Sequence, residues 1–144
     1  MESLHAPWRI QYILAPKPPP NDASLFTQIA QSSNDEENLV IVRERTCYAL
    51  LNRYPYNNGH LLIAPRRHVA ELSLATAEEH LACVERLARL TTVYRQCLHA
   101  EGFNIGLNLG RAAGAGLPEH LHWHLVPRWV GDNNFMPVLA GVRV

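Results

Sequence analysis

His120-Leu121-His122-Trp123-His124-Leu125-Val126 is the stretch from which the rest of this chain can be read. Imidazoles and bulky apolar side chains alternate through it. A period of two is the period of a β-strand. On that reading His120, His122 and His124 share one face, and Leu121, Trp123 and Leu125 bury the other. Same-face side chains stand about 6.6 Å apart along a strand, so the rings form a row. Histidine changes charge near neutral pH. Just upstream runs Gly110-Arg-Ala-Ala-Gly-Ala-Gly116, whose small residues let backbone N–H groups close around an anion. A phosphate held there lies within reach of an imidazole. Neutral imidazole attacks phosphorus, and a protonated neighbour can donate to the leaving oxygen.

Working outward, Leu39-Val-Ile-Val and Tyr48-Ala-Leu-Leu read as strands joined by a hairpin at Arg43-Glu-Arg-Thr. Asn58-Gly59 is a turn signal, and His60-Leu-Leu-Ile-Ala is a third strand stopped by Pro65. Thr76-Ala-Glu-Glu79 has the spacing of a capping box. Leu81, Val84, Leu87, Leu90 and Val93 then follow at helical spacing, and the run stops near Ala100-Glu-Gly102. Phe103 to Leu109 is a fourth strand, and the histidine stretch is the fifth, stopped at Pro127. Leu25 to Gln31 reads as a short helical turn. The sum is an α+β fold with an antiparallel sheet. Residues 1–24 read as an arm, aromatic at Trp8 and Tyr12, running into a linker with prolines at 16, 18, 19 and 20; residues 25–144 form the domain.

The 144 residues suffice for one domain with a core, and 47% of them are hydrophobic. Lys plus Arg and Asp plus Glu number 13 each. With no basic excess there is no field to draw nucleic acid or an acidic membrane, so an anionic ligand must be met by local groups. No apolar run approaches the ~20 residues that span a bilayer. The scattered cysteines Cys47, Cys83 and Cys97 read as thiols in a reducing cytoplasm.

His120-Leu-His-Trp-His-Leu-Val resembles the signature of the histidine triad (HIT) superfamily. Leu51 to Val69, Gly106 to Gly116 and Pro127 to Val138 resemble its bacterial branch related to diadenosine tetraphosphate phosphorylase, as do Ala6-Pro-Trp-Arg and Asn34 to Val40. The likeness implies a sheet of about five strands with one long and one short helix, in a homodimer. It implies a hydrolase or transferase that cleaves a nucleoside phosphoanhydride or phosphoramidate at the α-phosphate, with adenine and diadenosine tetraphosphate-like substrates favoured. His122 is then the nucleophile, His124 bonds the phosphate or leaving group, and His120 supports the row. Asn108 holds a phosphate oxygen, Gly114, Gly116 and Leu117 cradle phosphate, Asn52 binds ribose, and His60 orients the site. Trp129 touches the nucleotide or the partner subunit. No cofactor is called for.

Many bacterial relatives carry a Cys-x-x-Cys zinc element where this chain has Ser24-Leu-Phe-Thr27. Hydroxyls are poor zinc ligands beside thiolates, so no metal site is expected, although the usual partners His68 and His120 remain. Taken alone, His68, Arg66 and Arg67 read as structural or solvated, and Tyr54 and Tyr56 as loop packing or base-stacking groups. Two alternatives stand beside the enzyme. One is a zinc site built on His120 and His122; the other is a nucleotide-binding module whose catalysis is vestigial.

Overall fold

A computed structural model of the chain describes residues 7–16 and 24–132. The elements are α1 (Ile10–Leu14, preceded by a 3₁₀ turn at Pro7–Arg9), α2 (Leu25–Gln31), β1 (Val40–Arg43), β2 (Cys47–Leu51), β3 (Leu61–Pro65), α3 (Ala77–Leu98), β4 (Gly102–Leu107) and β5 (Trp123–Arg128). The five strands form one sheet in the order β1-β2-β3-β5-β4, each neighbouring pair antiparallel. The α+β reading with about five strands, one long helix and a short one is therefore the observed fold. Most of the linker, residues 17–23, lies outside the described residues.

The alternation along each strand separates two layers. Cys47, Ala49, Leu61, Ile63 and Leu125 pack with Cys83, Leu87, Leu90 and Tyr94 of α3. Tyr48, Leu50 and Ala64 pack on the opposite face against Phe26, Ile29 and Ala30 of α2. Each large apolar side chain buried in these layers contributes about 1.5–3 kcal/mol. The Tyr48 hydroxyl donates to the Phe26 carbonyl at 2.7 Å, and Arg43 and Arg66 donate to the carbonyls at the end of α2. The arginine bonds satisfy carbonyls a helix end leaves open.

The capping box forms as the spacing implied: Thr76 Oγ1 accepts from the Glu79 N–H, and Glu79 Oε2 accepts from the Thr76 N–H. Arg67 donates twice to the same carboxylate and, as the leading cause, holds it down at about 2. The apolar spacing along α3 divides, however. Leu87 and Leu90 face the core with Cys83 and Tyr94, whereas Leu81, Val84 and Val93 are exposed. The stop comes earlier than Gly102, because His99 takes the left-handed cap at φ 52° and Gly102 opens β4. β1 likewise starts one residue late, since Leu39 has φ 58°.

The larger correction concerns the histidine stretch. Only His124 lies in a strand; His120 and His122 precede β5. Pairing ends at the same place on both sides: Ile63 on β3 and Leu107 on β4 each pair with Trp123, the last rung on either side, although β3 itself runs on to Pro65 beside β2. Upstream of it the Leu121 N–H bonds Val69, outside the sheet. Nor does Pro127 stop the strand, which continues to Arg128. The Pro127 carbonyl points to Asn57, so its ring nitrogen faces the side where β3 has already ended at the Leu61–Leu125 pair. A proline there forfeits no ladder bond.

Candidate functional site

His124 sits on the α2 face of β5, between Leu62 of β3 and Gly106 of β4. His60 precedes β3 and is 1% exposed. The backbone N–H of Tyr56 can only donate, and it meets His60 Nδ1 at 3.1 Å; the Asn52 amide nitrogen meets the same atom at 3.3 Å. His60 Nδ1 is therefore the acceptor, and Nε2 carries the proton. That N–H donates to His124 Nδ1 at 3.0 Å, which in turn puts the His124 proton on Nε2. His124 Nε2 is buried and has no hydrogen-bond partner among the described residues.

The other two rings are set by carbonyls. His122 Nδ1 donates to the His120 carbonyl at 2.8 Å, leaving the Nε2 lone pair open. Its ring stacks on Phe26 at 4.7 Å and meets His124 edge-on at 5.1 Å. His120 Nε2 donates to the Pro65 carbonyl at 2.9 Å, and His120 Nδ1 accepts from the Ser24 hydroxyl at 2.7 Å. Burial, the leading cause in each case, keeps these rings neutral: it pushes His120 down to about 4, His124 to about 3, His60 to about 2, and lowers His122 as well. Like charge on neighbouring imidazoles adds to the effect at His60, His120 and His124.

His122 and His124 open on a cavity of about 230 Å³. Asn52, Asn108, Gly114, Gly116 and Leu117 line it as well, so those expected residues are gathered around two of the three histidines. His60 and His120 stand behind the lining. Asn52 is committed within the fold: its amide nitrogen reaches His60 and its oxygen accepts from the Tyr54 N–H. Trp129 is not brought to the cavity of its own chain; its indole N–H donates to Leu98 on the α3 side of the sheet. The glycine loop turns at Gly110 and Gly114, with φ of 75° and 87°, values that favour glycine.

Two lining features escape the sequence reading, and a third, Tyr56, takes a role that reading left open. Phe26, Leu25 and Ile29 of α2 make an apolar wall, with Leu39 and Leu50 beside them. Tyr56 stacks on His60 at 4.9 Å, a signal that required the turn geometry. Arg9 and Tyr12 of the arm also line the cavity; the mixture of aromatics with Arg9 was the only trace of that in the sequence.

Residues 33–130 match the HIT domain family. An AP-4-A phosphorylase of Mycobacterium tuberculosis is 44% identical over 150 aligned residues, which cover 100% of this chain and 76% of that protein. A bis(5'-adenosyl)-triphosphatase of Dictyostelium discoideum is 31% identical over 81 residues, 56% of this chain and 54% of the relative. Among solved structures, a zinc-bound histidine triad family protein from Mycobacterium smegmatis superposes with a TM-score of 0.66 at 31% identity, over 74% of this chain and 76% of that one.

The zinc site that the family resemblance places around His120 finds poor accommodation here. Ser24, Thr27 and His68 do gather round His120: Thr27 Oγ1 lies 3.4 Å from His120 Nδ1, and His68 stacks on the ring at 5.5 Å. Yet two of the four would-be donors are hydroxyls, and His120 Nδ1 is occupied by Ser24. Among the described residues no three His, Cys, Asp or Glu side chains cluster in a way that could hold a metal. The donor set does not fit zinc. The family match runs from the loop before β1 to just past β5 and takes in all three histidines: the chain belongs to the HIT domain family.

Proposed function

We propose that this chain is a nucleotidyl hydrolase or transferase that cleaves a nucleoside phosphoanhydride at its α-phosphate through His122. The relatives named for AP-4-A and bis-adenosyl triphosphate cleavage support the substrate class. The observation that carries the mechanism is the fixed tautomer chain. Two adjacent neutral rings that line one cavity carry opposite faculties: a lone pair on His122 Nε2 and a proton on His124 Nε2.

In the first step the His122 Nε2 lone pair forms a bond to the α-phosphorus, and the bond from phosphorus to the bridging oxygen breaks. The polyphosphate leaves as an anion, with the His124 N–H bonded to the departing oxygen. His122 becomes cationic, its Nδ1–H still on the His120 carbonyl, which spreads that charge. In the second step an acceptor oxygen attacks phosphorus and the N–P bond breaks, returning His122 to its first tautomer. Water as acceptor sheds a proton to solvent and gives hydrolysis; inorganic phosphate gives phosphorolysis. The apolar wall at Phe26 and Ile29 is suited to a base, and adenine is the favoured one. Asn108, Gly114, Gly116 and Leu117 receive the phosphates, and Asn52 contacts the ribose or positions His60.

Incubation with diadenosine tetraphosphate, with and without phosphate, tests this reading through its products. Quenched-flow trapping is expected to yield a nucleotidylated protein with the label on His122; a label on His60, His120 or His124 would overturn the assignment. We also propose a homodimer, in line with the family resemblance and with the exposed apolar residues Ile41, Leu51, Val93 and Leu98. Sedimentation at micromolar concentration checks it, and a monomer would refute it. No helix of the described residues is long and apolar enough to cross a membrane.

A further inference from the structure

The arm before α2 reaches across the chain to the triad cavity. The Trp8 indole N–H donates to the Pro55 carbonyl at 2.8 Å, and Arg9 Nη1 donates to the Tyr54 carbonyl at 2.5 Å. Tyr12 packs on Tyr54 at 5.2 Å. A Cβ placed on Gly116 would lie 2.0 Å from the Tyr12 hydroxyl, so the arm touches the glycine loop itself. These contacts bring one cation to the reacting end of the cavity. The Arg9 guanidinium carbon stands 4.1 Å from the centre of the Tyr56 ring, and that ring stacks on His60. Its charge is felt at both His60 and His124, where it disfavours protonation.

Nη1 is spent on Tyr54, but Nε and Nη2 make no hydrogen bond among the described residues. A guanidinium held on an aromatic face with donors to spare is built to receive an oxyanion. Arg53 also lines the cavity, and its Nη2 is committed to the Glu37 carbonyl. The chain as a whole is neutral, so no general field offsets the charge of a polyphosphate, and the imidazoles are held uncharged by burial. Backbone N–H groups of the loop can meet one phosphate. Each phosphate beyond it adds negative charge that only a nearby cation answers.

We propose that Arg9 reads the phosphates beyond the α-phosphate, making the arm the element that selects nucleoside polyphosphates over monophosphates. This rests on the nucleotide-cleaving reading of the cavity, and it adds a specificity residue that lies outside the triad and the glycine loop. Arg9 lines the same cavity as His122 and His124, and on this proposal its effect grows with the length of the phosphate chain.

Equilibrium binding of AMP and of α,β-methylene-ATP, which resists cleavage at the α-phosphate, separates the possibilities by calorimetry. The wild-type chain is expected to bind the triphosphate about tenfold or more tighter than AMP. Arg9→Gln should shrink that ratio to about threefold or less, and Arg9→Lys, which keeps the charge but not the planar fork, should fall between the two. An unchanged ratio in Arg9→Gln would overturn the proposal. So would an equal loss for both nucleotides, which would make the arm a mere prop for the cavity walls. Turnover of diadenosine tetraphosphate on the same preparations keeps the two readings apart. No cleavage with the Arg9-dependent ratio intact would reject the catalytic reading and leave the phosphate reader standing; no binding of either nucleotide would reject both.

Discussion

The two ends of the histidine row differ more than their shared spacing suggests. At the His120 end both ring nitrogens are consumed, one by the Pro65 carbonyl and one by the Ser24 hydroxyl. At the other end each of two rings keeps one nitrogen unspent, and both unspent atoms belong to rings lining the same cavity. A histidine with two protein partners is a bracing group; a histidine with one is a reagent. Identical residues two apart thus divide into structure and chemistry according to their partners, and the division can be tested at each position.

The largest effect is expected at His122. His122→Asn or His122→Ala removes the attacking lone pair, and turnover should fall by several decades, on the order of 5 kcal/mol or more in the barrier. Nucleotide affinity should survive, as binding rests on the loop, Asn108 and the apolar wall. Wild-type-like turnover measured by steady-state kinetics would erase the contrast between the two ends.

Next comes the hydrogen-bond chain. His124→Ala deletes the donor to the departing oxygen, and His60→Ala leaves the His124 tautomer unfixed. Each should cost about 10²–10³ in kcat, the range for losing one donor to a developing anion. The loss should shrink for a substrate whose leaving group is a stronger acid, and a substrate-independent loss would mean the chain only shapes the cavity.

His120→Ala should show the reverse balance. It orphans the Pro65 carbonyl and the Ser24 hydroxyl, for about 1–3 kcal/mol of stability in denaturant titrations, with a smaller loss of turnover than at His122 or His124. Ser24→Ala removes both the hydroxyl facing His120 and the cap of α2, where the side chain accepts from the Thr27 N–H; about 1 kcal/mol is expected. Elemental analysis of the purified protein is expected to find no stoichiometric zinc at this end. About one zinc per subunit retained through mild chelation would overturn that expectation.

The last effect is a slope, read in stability and not in turnover. In the folded chain His120 titrates at about 4, His124 at about 3 and His60 at about 2, below the ordinary 6.5 of an unfolded histidine. Between pH 6.5 and 4 the unfolded chain therefore binds more protons than the folded one, and stability falls as the pH is lowered through that window. Melting temperatures measured from pH 7 to 4.5 should decline, and His120→Gln should flatten the decline.

The architecture was legible where one periodicity governed one element, as in the strands and the capped start of α3. It failed where a partner strand decided. Alternation from His120 to Val126 says strand, but a strand exists only where neighbours bond to it, and pairing on both sides stops at Trp123. The residues around His122 and His124 were legible because a motif holds them close in sequence. Phe26 and Arg9 were not, since they come to the cavity from separate segments with nothing in their local spacing to mark them, and Tyr56 could be read only as loop packing or base stacking. The ring partners were equally hidden: that Ser24 faces His120 across 96 positions is a fact of folding alone.

The end of pairing at Trp123 has a consequence for motion. His124 hangs from a strand bonded on both sides, which belongs to the part of a protein that opens last. His122 hangs from the segment before it, outside the ladder. Amide exchange should therefore be slow from Trp123 onward and faster just upstream. The proposed nucleophile has to travel toward phosphorus as its bond forms and back as it breaks, while a hydrogen-bond donor does its work by staying put. The backbone has no strand partner under the ring proposed to move and one on each side under the ring proposed to stay.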